Sequence, residues 1–140
     1  MPPLCSQIPD ATGLRGPNAV TGVFALLLLG VAPVIAAAED LEAARQQFLT
    51  SCGTCHAVEK DAPLRQGPNL LGVIGRKSGK LDGFKYSDAL AKSEFTWDEA
   101  TLDRWIEDTQ VVVPGNVMSY RQANSDKRQL VIAYLRSLSH

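Results

Sequence analysis

The chain has 140 residues, of which 45% are hydrophobic and 21% are charged, and its net charge is −1 at pH 7. This length and composition are typical of one globular domain and exclude two domains of ordinary size. The near balance of charge gives no reason to expect nucleic acid or an anionic membrane surface as a partner.

The N-terminal part of the chain predicts a secretion signal. Residues 20–38 form an apolar run that ends in three alanines before Glu39. An apolar segment followed by small residues is typical of a signal peptide, so we expect cleavage after Ala38 and export to the bacterial periplasm. The alternative is that residues 1–38 stay attached as an anchor, because about nineteen residues can just cross a bilayer core of about 30 Å.

The predicted domain, residues 39–140, begins with a helix. Leu41, Ala44 and Phe48 recur at helical spacing, and this pattern predicts a first helix that ends near Ser51.

A C-x-x-C-H motif formed by Cys52, Cys55 and His56 follows this helix. Two thiols at that spacing can each add to one vinyl group of a porphyrin, and the adjacent imidazole can bind the iron, so the motif predicts one covalent haem c. A structural zinc site needs two further soft ligands, and only Cys5 and His140 remain, at opposite ends of the chain. A thioredoxin-like dithiol is the other alternative, but it follows a strand rather than a helix.

Loops are expected after the motif. Glycine or proline recurs between residues 59 and 83 and the helical period is lost, so we expect at most a short helical turn near residues 70–75. A brief helix is predicted from Tyr86 to Lys92.

Two longer helices are expected in the C-terminal part. Thr96 and Glu99 fit a capping box, and apolar residues then follow at helical spacing to about Asp108. Ser125 is the expected cap of the final helix. The segment 111–118 between them contains three valines and a Pro-Gly pair, and it is expected to be extended and turn-like.

These elements predict an all-α domain with long loops. Such loops are unusual in a compact domain unless another body organises them, and a haem would do so. The 102 residues after position 38 bury a modest fraction of their unfolded surface, so the haem is expected to form much of the core. We therefore expect the haem-free chain to be poorly folded.

Met118 is the expected second axial ligand, opposite His56. It is the only methionine after the initiator, and it follows a Pro-Gly turn in a loop, whereas core methionines more often lie on helical faces. Its competitors are His140, at a terminus, and lysines such as Lys127. A methionine opposite a histidine raises the reduction potential. Two filled axial positions leave no site for oxygen or peroxide, which favours an electron carrier over an enzyme.

With these residues in place, the chain resembles the class I c-type cytochromes, in the branch of mitochondrial cytochrome c and its soluble bacterial relatives. The resemblance implies a small cytochrome c fold in which the N- and C-terminal helices cross around one covalently bound haem. It covers about Ala44 to Leu138. The matching motifs are Cys52-x-x-Cys55-His56, Gly67-Pro68-Asn69-Leu70, Gly75-Arg76-Lys77-Ser78-Gly79, Phe84-x-Tyr86-Ser87-Asp88-Ala89, Trp97, Pro114-Gly115-x-x-Met118 and Ile132-Ala133-Tyr134-Leu135.

The resemblance also implies roles for four further residues. The carbonyl of Pro68 would accept a hydrogen bond from the non-ligating nitrogen of His56. Arg76, Tyr86 and Trp97 would hydrogen-bond the haem propionates. Without the family, the two aromatic residues would be ordinary core side chains and the arginine a solvated charge.

Several positions depart from the family pattern. Phe48 and Tyr134 would mark the helix crossing, with Ala44 in place of the usual glycine. Trp105 replaces a tyrosine near the methionine and Leu90 replaces an asparagine, so we expect an altered or drier polar network there, since indole donates but does not accept a hydrogen bond.

The family's docking lysines are also mostly missing. The matching positions carry uncharged residues, namely Gln46, Ser51, Gln110, Val117, Asn124 and Ser125. Cations lie instead at Arg76, Lys77, Lys80 and Lys85, and an acidic stretch covers residues 94–108. We hypothesise docking by apolar contact around the valines before Met118, with little electrostatic steering. The alternative is that these charges are simply a solvated surface.

The predicted protein is a monohaem, monomeric electron carrier of the periplasm and not an enzyme. We expect a donor such as a quinol-cytochrome c reductase-like complex or a periplasmic dehydrogenase, and an oxidase, reductase or photosynthetic reaction centre as acceptor. No nucleic acid and no membrane span in the mature form are expected. The alternatives are a membrane-tethered cytochrome that retains residues 1–38, and a haem protein with peroxidase-like activity whose methionine leaves the iron easily.

Overall fold

The computed structural model describes residues 32–139, so Cys5, His140 and all but the end of the predicted signal lie outside it. Within this range the helices are α1 (Ala32–Ser51), α2 (Asp88–Ala91), α3 (Glu99–Glu107), α4 (Thr109–Val112) and α5 (Ser125–Ser137). The described part holds no strand, only an isolated antiparallel bridge between Lys77 and Thr96, which confirms the all-α prediction. None of these helices has the length and apolar character needed to cross a bilayer.

Helices α1 and α5 pack against each other and close the fold. Ala44 and Phe48 of α1 are buried, as are Ile132 and Leu135 of α5. The Phe48 ring lies 5.2 Å from that of Tyr134, centroid to centroid. The predicted crossing of the first and last helices is therefore confirmed, and the Ala44 methyl group is accommodated within it.

Helix α1 begins earlier than its amphipathic pattern predicted. It starts at Ala32 and runs through Ala38, the expected cleavage position. Proline is tolerated in the first helical turn, where its missing N–H would have no partner, and alanine has the highest helix propensity. The alanine-rich end of the apolar run therefore continues the helix.

The predicted cap of α3 is wrong by two residues. Trp97 accepts a hydrogen bond from Gly75 N–H at 2.7 Å and donates its own N–H to the carbonyl of Arg76 at 2.9 Å. These bonds keep the backbone extended past Thr96, so the cap is Asp98, whose carboxylate accepts from Thr101 N–H at 2.6 Å. Hydrogen bonding by the Thr101 side chain, and then by the Thr101 backbone N–H, lowers the pKa of Asp98.

The expected extended segment is also partly wrong. Asp108 caps α4 by accepting from Gln110 N–H at 3.0 Å, so the first two valines lie in a helical turn rather than an extended chain. The turn at Gly115 follows as predicted, with a φ of 81°. The cap of α5 is Asn124, one residue before the predicted Ser125.

A buried arginine joins α3 to α5. Nε of Arg128 donates to Asp103 Oδ1 at 2.9 Å and its Nη2 to Oδ2 at 3.3 Å. Its Nη1 donates to the carbonyls of Gln122 and Ala123, each at 3.1 Å. The Asp103 carboxylate raises the pKa of Arg128, and the sequence patterns did not single out this pair.

We expect Arg128→Ala to lower the midpoint of thermal unfolding of the holoprotein several times more than Arg136→Ala. Both arginines are on α5 and both meet an acidic residue of α3, but the pair of Arg136 with Glu99, at 3.3 Å, is exposed. Arg128→Ala removes a buried side chain that also donates to the carbonyls of Gln122 and Ala123, whereas exposed pairs contribute little. Equal shifts of the two midpoints would contradict this account of the α3–α5 contact.

Candidate haem site

A cavity of about 500 Å³ lies between the helices and the long loops. Leu102, Trp105 and Ile106 of α3 line it, together with Val131 and Leu135 of α5. Ligand sites in proteins occupy about 300–1,000 Å³ and have mostly apolar walls. The size and the lining therefore suit a large, flat, apolar group.

All eight residues singled out from the sequence line this one cavity. They are Cys52, Cys55, His56, Pro68, Arg76, Tyr86, Trp97 and Met118. The fold brings them together from the end of α1, three loops and the segment before α3. Their placement shows which side chains surround the same space, and their individual roles toward a haem remain predictions.

His56 is buried and its ring is held by a backbone carbonyl. Its Nδ1 lies 2.8 Å from the oxygen of Pro68. Because a carbonyl oxygen can only accept, Nδ1 carries the hydrogen and Nε2 keeps the lone pair that a metal needs. Burial lowers the pKa of His56, while the bond to Pro68 acts in the opposite direction. Both the tautomer and the neutral state of the ring therefore suit metal binding.

Gly67 permits this arrangement by lacking a side chain. A Cβ atom built at Gly67 would lie 2.2 Å from Cε1 of His56, which is far inside van der Waals contact. The loop can pass directly over the imidazole only because no side chain is present there. In the sequence, Gly67 stood out only as part of a motif, since contact across eleven positions has no local signal.

Cys52 and Cys55 are half-buried at the end of α1 and are not joined in a disulfide. Burial, and then the neighbouring Cys55, raise the pKa of the Cys52 thiol to about 12. Residues 32–139 hold no group of three or more His, Cys, Asp or Glu side chains that could bind a metal ion. Among these residues the cysteine pair lacks the further soft ligands that a structural zinc site needs.

Polar and aromatic groups meet at one edge of the cavity. Arg76 is half-buried and donates from Nη2 to the carbonyl of Asn69 at 2.9 Å. Burial lowers its pKa, opposed by Tyr86, and burial raises the pKa of Tyr86, opposed by Arg76. Trp97 packs edge to face on Trp105, with ring centroids 5.3 Å apart. A cation and two hydrogen-bonding aromatic residues at one edge are suited to hold carboxylates.

Met118 lines the same cavity and lies on the loop after α4. Its N–H donates to Asn116 Oδ1 at 2.8 Å, and its carbonyl accepts from the Thr109 hydroxyl at 2.5 Å. Its side chain packs against the hydrophobic core, half-buried. The residues around the cavity thus fit a haem attached at Cys52 and Cys55, with His56 and Met118 as candidate ligands.

Several curated proteins are similar to this chain, and the matching region covers most of each relative's own length. Cytochrome c2 iso-2 of Magnetospirillum molischianum is 46% identical over 90 residues, which are 64% of this chain and 92% of the relative. Cytochrome c2 of Rhodoplanes tepidamans is 43% identical over 91 residues, which are 65% of this chain and 84% of the relative. Cytochrome c of Kluyveromyces lactis is 39% identical over 89 residues, which are 63% of this chain and 81% of the relative. A scan against protein-family models finds no match.

The chain belongs to the class I c-type cytochromes. This c-type cytochrome carries one haem c bound through Cys52 and Cys55, and it is an electron carrier with redox partners rather than an enzyme. The family resemblance seen in the sequence, the fold class and the haem cofactor are confirmed.

We expect Gly67→Ala to lower the yield of holoprotein and to disturb the haem absorption spectrum, because the new methyl group displaces the His56 ring from Pro68. Gly83→Ala is the control, since its φ of 78° gives backbone strain but a Cβ there meets no atom within 4 Å. Visible spectra of the two purified variants measure the effect. A normal spectrum and yield for Gly67→Ala would show that the close contact with His56 does not matter.

Proposed function

We propose that His56 and Met118 are the two axial ligands of the haem iron in a carrier of single electrons. Two observations support this. The His56 ring presents Nε2 to the cavity because Nδ1 is bound to Pro68. Met118 lines the same cavity and offers the only thioether of the predicted domain. A histidine and a methionine on opposite faces leave no position for a substrate on the iron.

The haem c, when bound, supplies an iron that accepts and returns one electron. The chain holds the two neutral ligands in fixed positions, with His56 buried and Met118 half-buried against the hydrophobic core. Because the His56 and Met118 backbones are each held by hydrogen bonds, little rearrangement accompanies the change of charge. A thioether ligand in a largely apolar site favours the ferrous state.

We further propose that Arg76, Tyr86 and Trp97 bind the haem propionates. They lie together at one edge of the cavity, and Arg76 has guanidinium hydrogens beyond the one given to Asn69. A propionate pair there would offset the cost of keeping a half-buried guanidinium charged.

We propose that residues 1–38 are a signal peptide removed after Ala38 and that the mature protein, residues 39–140, works as a monomer in the periplasm. The apolar run and its terminal alanines support this proposal. The α1 residues that pack in the core, Ala44 and Phe48, follow the cleavage position, so the cut leaves that packing intact.

We propose that the redox partners dock on an uncharged face beside the cavity. Val111 and Val117 are 77% and 82% exposed, and the segment from Thr109 to Tyr120 contains no charged residue. The partner surface that meets this face is proposed to be apolar and weakly charged. The proposed partners are a quinol-cytochrome c reductase-like donor and an oxidase, reductase or reaction-centre acceptor.

The acidic stretch near this face is largely paired within the protein. Asp103 and Glu107 meet Arg128 at 2.9 and 3.8 Å, and Asp108 meets Arg121 at 3.7 Å. These internal pairs weaken the field that could steer a charged partner, which supports docking through apolar contact.

Replacing Met118 tests the ligand assignment. Met118→Ala is expected to abolish the ferric charge-transfer band at the red edge of the visible spectrum and to lower the reduction potential, because the thioether is lost. Val117→Ala, one residue away and outward-facing, should keep both properties. Retention of the band by Met118→Ala would exclude Met118 as the ligand.

The salt dependence of electron transfer tests the docking proposal. Stopped-flow oxidation by a purified membrane oxidase should change less than about twofold between low and moderate ionic strength. Val117→Lys, which adds a cation on the docking face, should make the rate salt-dependent. A severalfold decrease for the unmodified protein would show that charges guide docking instead.

A further inference from the structure

We propose that Thr109, Gln110 and Asn116 form a polar brace that positions Met118 and sets how readily the methionine leaves the iron. The brace is this set of three side chains, and the segment they hold, residues 109–120, is termed the methionine loop. The inference rests on the proposed function, since it takes Met118 to be an axial ligand.

The methionine loop folds back on its own first residue. Thr109 is fully buried, and its hydroxyl donates to the carbonyl of Met118 at 2.5 Å. Its backbone N–H donates to the carbonyl of Tyr120 at 3.4 Å. Thr109 therefore ties the start of the loop to the residues on either side of Ser119, which is typical of a compact loop packed by its own side chains.

Asn116 fills the interior of the methionine loop. Its Nδ2 donates to the carbonyls of Thr109 and Val113, at 2.9 and 2.7 Å. Its Oδ1 accepts from the N–H of Met118 at 2.8 Å. One buried amide thus uses both donor hydrogens and its oxygen to connect three points of the loop.

Gln110 completes the brace from the outside. Its Nε2 donates to the carbonyl of Asn116 at 3.0 Å, and its Oε1 accepts from the N–H of Gly115 at 3.1 Å. The Gln110 side chain is exposed, so it holds the turn before Met118 without occupying space in the cavity.

The brace accounts for both backbone polar groups of Met118. The N–H is held by Asn116, and the carbonyl accepts from Thr109 and, at 3.5 Å, from Gln110. Val113 is buried, and Val112, Met118 and Tyr120 are half-buried against the core, whereas Val111 and Val117 are exposed. The side-chain hydrogen bonds therefore act together with this apolar packing to fix the backbone at Met118, and with it the position of the sulfur atom.

The affinity of the haem iron for an external ligand therefore reports how firmly the brace keeps Met118 in place. An external ligand reaches the iron only when Met118 has left, so its apparent affinity is the intrinsic affinity multiplied by the fraction of molecules that are open. Removing a hydrogen bond that exists only in the closed loop raises that fraction.

The test is imidazole binding to the ferric holoprotein, followed by visible spectroscopy. Thr109→Val keeps the shape of the side chain but removes the hydroxyl, and it should bind imidazole about tenfold more tightly, which corresponds to about 1.4 kcal/mol. Thr109→Ser restores the hydroxyl and should return the affinity to within about twofold of the unmodified protein.

Ser78→Ala is the matched control. Ser78 is also fully buried and its hydroxyl bonds to that of Ser93 at 2.8 Å, away from the methionine loop. Its loss should lower thermal stability without changing the affinity for imidazole. Gln110→Ala, at an exposed position, gives a second test that does not threaten folding. It should bind imidazole about threefold more tightly, with Gln46→Ala on α1 as its control.

The outcomes separate the two proposals. Unchanged affinity in both Thr109→Val and Gln110→Ala overturns the brace, and so does an equal increase in Ser78→Ala, which would show a general loss of stability. If Met118→Ala binds imidazole no more tightly than the unmodified protein, the ligand assignment itself fails. Tighter binding by Met118→Ala, Thr109→Val and Gln110→Ala, with normal binding by the controls and Thr109→Ser, supports both proposals.

Discussion

The need to fill one apolar cavity with haem is the constraint on which the rest of this structure depends. Side chains of α3 and α5, among them Leu102, Trp105 and Leu135, belong to the buried core and also line the cavity. Burying such surfaces is the main favourable contribution to folding, and a short chain has few other apolar contacts to offer. Attachment at Cys52 and Cys55 keeps the haem in place, so the cofactor serves as part of the hydrophobic core as well as the redox centre.

The two sides of the cavity hold their proposed ligands by different means. On the histidine side, backbone groups are sufficient, because the Pro68 carbonyl orients the ring and Gly67 leaves room for it. On the methionine side, the flexible thioether has no hydrogen-bond donor and is only a weak acceptor. Side chains such as Thr109 and Asn116 therefore fix the backbone around it. An electron carrier needs both ligands to stay in place when the charge of the iron changes.

Helical periods predicted the first and last helices, and the C-x-x-C-H motif predicted the attachment site. The helix crossing and the placement of Pro68, Arg76, Tyr86 and Trp97 were implied by the resemblance to the family. It did not predict the pairing of Arg128 with Asp103, which are 25 positions apart and meet only through the packing of α5 on α3. The brace on Met118 was missed for a related reason: threonine and asparagine are common in loops, and their hydrogen bonds depend on how the loop folds. The helical turn α4 was not predicted, because the three valines at 111–113 favour extended structure. In the structure the Asp108 cap overrides that preference.

The proton NMR spectrum of the ferrous protein, with its methionine methyl groups isotopically labelled, tests the central claim most directly. The chain has only two methionines, Met1 and Met118, so the assignment is simple. If the thioether is bound above the porphyrin, the ring current shifts the Met118 methyl signal far upfield of all other aliphatic signals. A Met118 methyl signal at the ordinary position of a free thioether, in protein with haem covalently attached, would contradict the account.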